Sequence, residues 1–353
     1  MHNRVRLYIS ACFYYSGLVS LMRRWRQRWR PGLTILYYHQ AYREDLRSQW
    51  LYLRRHYRIL SLEAALEELS ITHKKGIQRK NQRSLLALTF DDGYYDNFTH
   101  AFPVARELQV PITIFLIPGY IGSSNSFWWA TRLVRLAQVE QLTWEGCTYH
   151  LDQQEERKAL AQVIDARFSR STSFPEREKF LASLCQMLSV PPSAVLKEEP
   201  APLLTWTQVR EMQESGWVSF GAHTIHHPDL GTLVDPAEVR HEVGECRTML
   251  EKQLGHPVRI FAYPFGSIGD YGLGAVKQTG YDWAVTTQPG INTCLTDPHL
   301  LRRRKMDGNK HWLVVAAETA GAWGVLSRMK GAVRLLIRKA LFLRHREGLI
   351  REF

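Results

Sequence analysis

The sequence is poor in several features that would fix a class quickly. Its five cysteines (Cys12, Cys147, Cys185, Cys246, Cys294) are scattered with no C-x-x-C pair. An odd, dispersed set argues against a disulfide framework, so reduced thiols and a cytoplasmic setting are expected. No internal repeat or low-complexity tract is present. The most apolar stretch, Leu7–Met22, falls short of the roughly 20 residues a membrane span needs. Arg23 and Arg24 follow it where a signal peptide would carry small residues. An interfacial amphipathic helix and a helix packed on the domain both stay open for this stretch.

Acidic residues are missing from residues 1–31, which hold seven arginines. Residues 301–353 carry 13 Lys or Arg against four acids. The net charge of +12 therefore leaves the middle of the chain at about −4. Basic ends on a slightly acidic body suit peripheral contact with an anionic membrane, at the cytoplasmic face of the inner membrane. No nucleic-acid motif accompanies the basic loop Lys74–Arg83 or the tails, so no nucleic-acid partner is expected. Oligomeric state is not legible.

With 353 residues, 45% of them hydrophobic, the chain can bury a large core. Short apolar runs alternate with helical patterns. Thr34–Tyr38, Ser84–Thr89, Ile112–Ile117, Val218–Ala222, Arg259–Tyr263 and Trp283–Thr286 read as strands. Trp50–Tyr57, Ser61–Leu69, Asn97–Leu108, Trp206–Ser215, Pro236–Leu254 and Gly269–Gln278 read as helices. That rhythm predicts β/α units around a parallel sheet. Residues 118–204 break it and read as a helical insertion, with helices at Phe127–Ala137, Gln153–Ser169 and Pro175–Leu188. Trp312–Leu343 reads as one long basic amphipathic helix, with Leu326, Met329, Val333, Ile337 and Leu341 on one face. The expected domains are a basic segment 1–31, a barrel 32–311 and the helix 312–353.

Two motifs follow strands, where β/α proteins place their sites. In Thr89-Phe90-Asp91-Asp92-Gly93, adjacent carboxylates after an apolar strand are costly unless neutralised, and a metal neutralises them. A turn with an N-capping Asp is the ordinary alternative. In His223-Thr224-Ile225-His226-His227-Pro228, imidazoles at i and i+4 can converge on one ion. His226 reads as a surface or supporting residue. His39, ending the first strand, reads equally as a site residue and as a satisfied barrel histidine.

In this order the two motifs resemble the polysaccharide deacetylase family, the chitooligosaccharide deacetylase homology domain of carbohydrate esterase family four. The likeness runs from ILYYHQ near residue 35 to LLRRRK near residue 305 and includes Phe261-Ala262-Tyr263-Pro264-Phe265-Gly266. It implies a distorted (β/α) barrel of about seven strands that binds one divalent ion, Zn2+ by preference. Carried over by motif, Asp92, His223 and His227 would ligate it, Asp91 would be the general base, and the Phe265 backbone N–H would donate to the oxyanion. Thr224, Tyr263 and Pro264 would contact substrate, an N-acetylated carbohydrate. Two departures stand out. Ala262 occupies the position of the arginine that usually orients the catalytic Asp, which leaves Arg302 or Arg303 to replace it. No late Leu-x-x-His supplies a general acid, and His299 and His311 are weak candidates. The resemblance implies N-deacetylation. O-deacetylation, another amide hydrolysis on the same site, and a non-catalytic glycan-binding barrel are the alternatives.

Overall fold

The computed structural model describes residues 2–29, 32–74, 83–122, 130–169, 171, 173–191 and 203–323. In chain order its first strands are β1 (Leu33–Tyr38), β2 (Arg58–Ile59), β3 (Leu85–Phe90) and β4 (Ile112–Leu116). A hairpin, β5 (Gln141–Trp144) and β6 (Cys147–His150), precedes β7 (Val218–Ala222), β8 (Ile260–Ala262), β9 (Trp283–Val285) and β10 (Arg304–Lys305). Seven parallel strands run in the order β10-β1-β3-β4-β7-β8-β9, with β2 paired to β3. The segment around β10 touches both edges, since Leu301 bridges Val285 while Arg304 and Lys305 pair with Leu36 and Tyr37. The result is the expected distorted (β/α) barrel, with its seam at residues 301–305.

Strand periodicity explains the interior. Leu33 and Ile35, Leu85 and Ala87, Phe115, Ile260 and Ala262, Val285 and Leu301 form one buried cluster inside the barrel. They fall two residues apart along their strands, so one face of each strand points inward. Continuing the same count beyond Ala87 puts Thr89 and Asp91 at the barrel mouth. The opposite faces pack beneath helices in a larger cluster that includes Leu36, Leu86, Leu88, Ile112 and Phe220.

The helices are α1 (His2–Tyr15), α2 (Leu18–Trp29), α3 (Arg43–His56), α4 (Leu62–Lys74), α5 (Phe102–Leu108), α6 (Ala130–Leu136), α7 (Gln154–Ser169) and α8 (Phe174–Met187). After them come α9 (Trp206–Glu214), α10 (Pro236–Leu254), α11 (Gly269–Thr279) and α12 (Trp312–Ala320). Three expectations need correction. First, α3 begins seven residues before Trp50, because Leu46, Gln49, Trp50 and Leu53 already share its buried face and Glu44 and Asp45 occupy its first turn. Second, the insertion holds the β5–β6 hairpin as well as helices, and its buried residues form a cluster of their own around Leu133, Leu142, Leu160 and Leu184. Third, the helix expected over Trp312–Leu343 is not continuous: Gly321 takes φ +82 and caps Trp312–Ala320 in the left-handed conformation, and helical backbone resumes at Ala322 and Trp323. Leu326, Met329, Val333, Ile337 and Leu341 lie outside the described residues, as does most of the Lys74–Arg83 loop.

Every residue of α12 from Leu313 to Ala320 is buried, as expected of a helix apolar all round. Helices α1, α2 and α3 cover it. Arg6 pairs with Glu318 at 2.6 Å, Tyr14 meets Trp312 edge-on, and Arg26 donates to the Thr319 carbonyl at 2.5 Å. Buried Gln49 ties α3 to the loop before α12. Its amide donates to the carbonyls of Asp307, Gly308 and Lys310, and its oxygen accepts from Tyr38 Oη. Gln49→Leu strands these partners and is expected to cost about 1–3 kcal/mol, read as a lowered midpoint in chemical denaturation; an unchanged midpoint contradicts it.

Candidate metal centre

Asp91 directly follows β3 facing inward, and Asp92 comes next with φ +73. Such a left-handed residue is uncommon outside glycine. Gly93 continues the turn at φ +70, where a side chain would be strained and its Cβ would lie 2.8 Å from Leu116 Cδ2. Thr224 (φ +64), His227 (φ +55) and Phe265 (φ +57) share this conformation. Among the described residues, four of the seven non-glycine residues with positive φ thus lie in three loops around one point, as expected where backbone strain is held for function.

Asp92, His223 and His227 converge from two of these loops, each offering one ligand atom within 4.8 Å of the others. His223 Nε2 is 3.5 Å and His227 Nε2 3.4 Å from Asp92 Oδ1. All three side chains are buried, and neither Asp92 oxygen makes a well-formed hydrogen bond. Burial alone would raise the Asp92 carboxyl, but the approach of His223 and the charges of His227 and His39 hold it well below the usual range. Burial pushes His227 down to about 3 against the pull of Asp92. A buried, ionised carboxylate with no well-formed hydrogen bond, facing two imidazoles, calls for a cation, and this N2O donor set fits a divalent one.

The histidine loop is held from outside. His223 Nδ1 lies 2.7 Å from the Ala262 carbonyl, which turns Nε2 toward Asp92. Glu242 of α10, 2% exposed, accepts from the backbone N–H groups of Ile225 and His226 through one oxygen and meets His226 Nδ1 at 2.7 Å with the other. From the insertion, buried Arg177 of α8 donates to the His227 carbonyl at 3.4 Å. Sequence reading found neither Glu242 nor Arg177. Both act over long sequence separations, and no local spacing announces them.

Asp91 stands apart from the converging trio. Arg303 grips it twice, Nη1 to Oδ1 at 2.6 Å and Nη2 to Oδ2 at 2.9 Å. The guanidinium also donates from Nε to the Thr286 carbonyl and lies over the Tyr37 ring. Burial pushes the Asp91 carboxyl up, yet the charges of Arg303, His223 and His39 outweigh it and keep it below its usual value. Of the two arginines expected to stand in for the one missing at position 262, Arg303 is the one that pairs with Asp91. Arg302 is exposed, and its backbone N–H donates to Asn292 Oδ1.

Phe265 is half exposed, its ring 4.7 Å from that of His227. Thr224, Tyr263 and Pro264, expected to touch substrate, are buried like Asp91 and His223. The Thr224 hydroxyl accepts from the His227 N–H and donates to the His223 carbonyl, bracing the loop from within. Tyr263 packs edge-on against Phe261. His39 is half buried, and its charge reaches Asp91, Asp92 and His227. His299 binds the Tyr281 carbonyl just before β9, at the opposite end of the barrel, and His311 caps α12.

Comparison with known proteins agrees with this geometry. YxkH of Bacillus subtilis (strain 168), a protein assigned to the polysaccharide deacetylases, is 22% identical over 212 residues, 60% of this chain and 48% of its own. The chain thus spans about half the length of that relative. IcaB from Ammonifex degensii shares the fold at 20% identity and TM-score 0.53, over 81% of this chain and 96% of that one. Streptococcus pyogenes deacetylase PplD, solved in complex with acetate, does so at 19% and 0.51, over 80% and 96%. Residues 78–284, more than half of the sequence, match the profile described as polysaccharide deacetylase, and the chain belongs to that family.

Proposed function

We propose that this protein is a divalent-metal-dependent hydrolase that removes the acetyl group from an N-acetylated sugar in a polysaccharide, glycolipid or glycoconjugate precursor. The observation that carries the reading is the division of labour between neighbouring carboxylates. Asp92 faces two imidazoles with its own hydrogen bonds unmade, while Asp91 is held ready by Arg303. A carboxylate outside the ligand set serves no purpose in a purely binding barrel but suits a base.

Asp92, His223 and His227 would hold the ion, and Zn2+ suits one carboxylate and two imidazoles. Bound there, it would supply a Lewis acid for the acetyl carbonyl and favour an ionised water. Asp91 takes the proton of the attacking water, whose oxygen bonds to the acetyl carbon. The Phe265 backbone N–H, presented by its left-handed turn beside His227, donates to the developing oxyanion. The C–N bond then breaks, acetate leaves, and the nitrogen departs as an amine that needs a proton. The proton that Asp91 took in the first step can return to that nitrogen.

Acetate release from a panel of N- and O-acetylated glycans tests the reading. The native chain should release acetate from N-acetylated members, and Asp91→Asn should lower kcat by about 100-fold or more while Zn2+ titration still finds one bound ion. Release confined to O-acetyl esters would overturn the assignment. Arg303→Met should lower kcat by about 100-fold with Zn2+ affinity held, since the arginine orients the base and touches no ligand. Equal losses in both would mark Arg303 as a prop for the whole site. Glu242→Gln should do the converse and weaken Zn2+ binding by about 10- to 100-fold in calorimetric titration; native-like affinity contradicts that role.

A further inference from the structure

We infer that the outer face of α1 and α2 is a docking surface for an anionic lipid bilayer. Among the described residues, thirteen large hydrophobic side chains are exposed, and six of them belong to these two helices. That concentration exceeds the scatter of single exposed apolar residues found on any soluble surface.

The six are arranged as stripes. On α1, Val5, Tyr8, Cys12 and Tyr15 are exposed at spacings of three and four, opposite the side where Ser10 is buried and Phe13 and Tyr14 pack on the body. On α2, Leu21, Trp25 and Trp29 recur every fourth residue, 66%, 51% and 65% exposed. Val19 and Arg26 point the other way, into the core and onto the Thr319 carbonyl. Both helices pack inward on α12, so the stripes are what they present outward.

Charge selects the occupant. Arg4, Arg24 and Arg28 are exposed beside the stripes, and neither helix contains an acid. Tyrosine and tryptophan with a few aliphatic side chains, flanked by arginine, match the region between lipid headgroups and acyl chains. Arginine adds attraction to anionic headgroups that salt weakens. Neither helix spans the bilayer in this arrangement. No single described helix is long and apolar enough, and the pair Arg4–Tyr15 and Leu18–Trp29 has the length and composition of a span only when joined, across a bend of 69°. The two helices lie along the surface, and the body of the protein stays in water. Docking of this kind would bring the barrel to an acetylated glycan carried on lipid.

Flotation of the full chain with vesicles tests this. Phosphatidylglycerol–phosphatidylcholine vesicles should carry it to the top of a gradient, and phosphatidylcholine alone should carry far less. The variant L21S/W25S/W29S, all on the exposed face, should lose partitioning by more than about tenfold while keeping the native thermal midpoint and acetate release. Failure of the full chain to float, or equal flotation of the variant, would overturn the inference. So would lipid-free self-association that the variant abolishes, since a second copy would then be the occupant. The readout is independent of catalysis, so loss of the deacetylase reading would leave it standing.

Discussion

The site depends on keeping two adjacent carboxylates ionised although both are almost wholly buried. Asp91 and Asp92 are 3% and 1% exposed, and burial by itself favours their neutral forms. The fold answers each differently. Arg303 gives Asp91 two charge-assisted hydrogen bonds, the strong and directional kind. Asp92 receives two imidazoles and no well-formed hydrogen bond. One side chain is thereby fixed in orientation and the other left with lone pairs to give. The same local sequence, Asp-Asp, yields two chemical characters because the surroundings are not symmetrical.

That asymmetry comes from the barrel. Strand parity turns Asp91 inward with Leu85, Ala87 and Thr89, whereas the left-handed backbone at Asp92 swings the next carboxylate toward the histidine loop. Arg303 reaches Asp91 because the seam between β9 and β10 closes the barrel next to β1. Ala262, small and inward-facing, occupies the position where relatives are expected to carry an arginine, and Arg303 meets Asp91 from a different strand. Behind the histidines, Glu242 and Arg177 fasten the loop from α10 and from the insertion. The insertion is thus connected to the site, not merely appended to the barrel.

Much of this was legible in the sequence, and the gaps have physical causes. Adjacent acids after a strand, and histidines at i and i+4 after another, are local patterns that carry their chemistry with them. The strand positions were readable because buried parallel strands are short continuous apolar runs. Arg303 was half readable, since position 262 announced a missing partner without saying which of two arginines faces inward. Glu242 was hidden as one acid among several on an ordinary helix. Thr224 flanks the ligand loop in sequence, and only the fold shows its hydroxyl bracing that loop between His223 and His227. The β5–β6 hairpin escaped because its strands have four residues each and are mostly exposed. Gly321 interrupts the pattern read as one helix over Trp312–Leu343 by taking a left-handed conformation.

The central claim is that one divalent ion is shared by Asp92, His223 and His227 while Asp91 stays outside its coordination. Anomalous diffraction at the zinc absorption edge, from crystals of the protein purified with Zn2+, tests it most directly. The account predicts a single peak about 2.0–2.2 Å from an Asp92 oxygen and from both Nε2 atoms, with Asp91 still paired to Arg303. No peak at this position, or a peak that takes Asp91 as a ligand and frees Arg303, would contradict it.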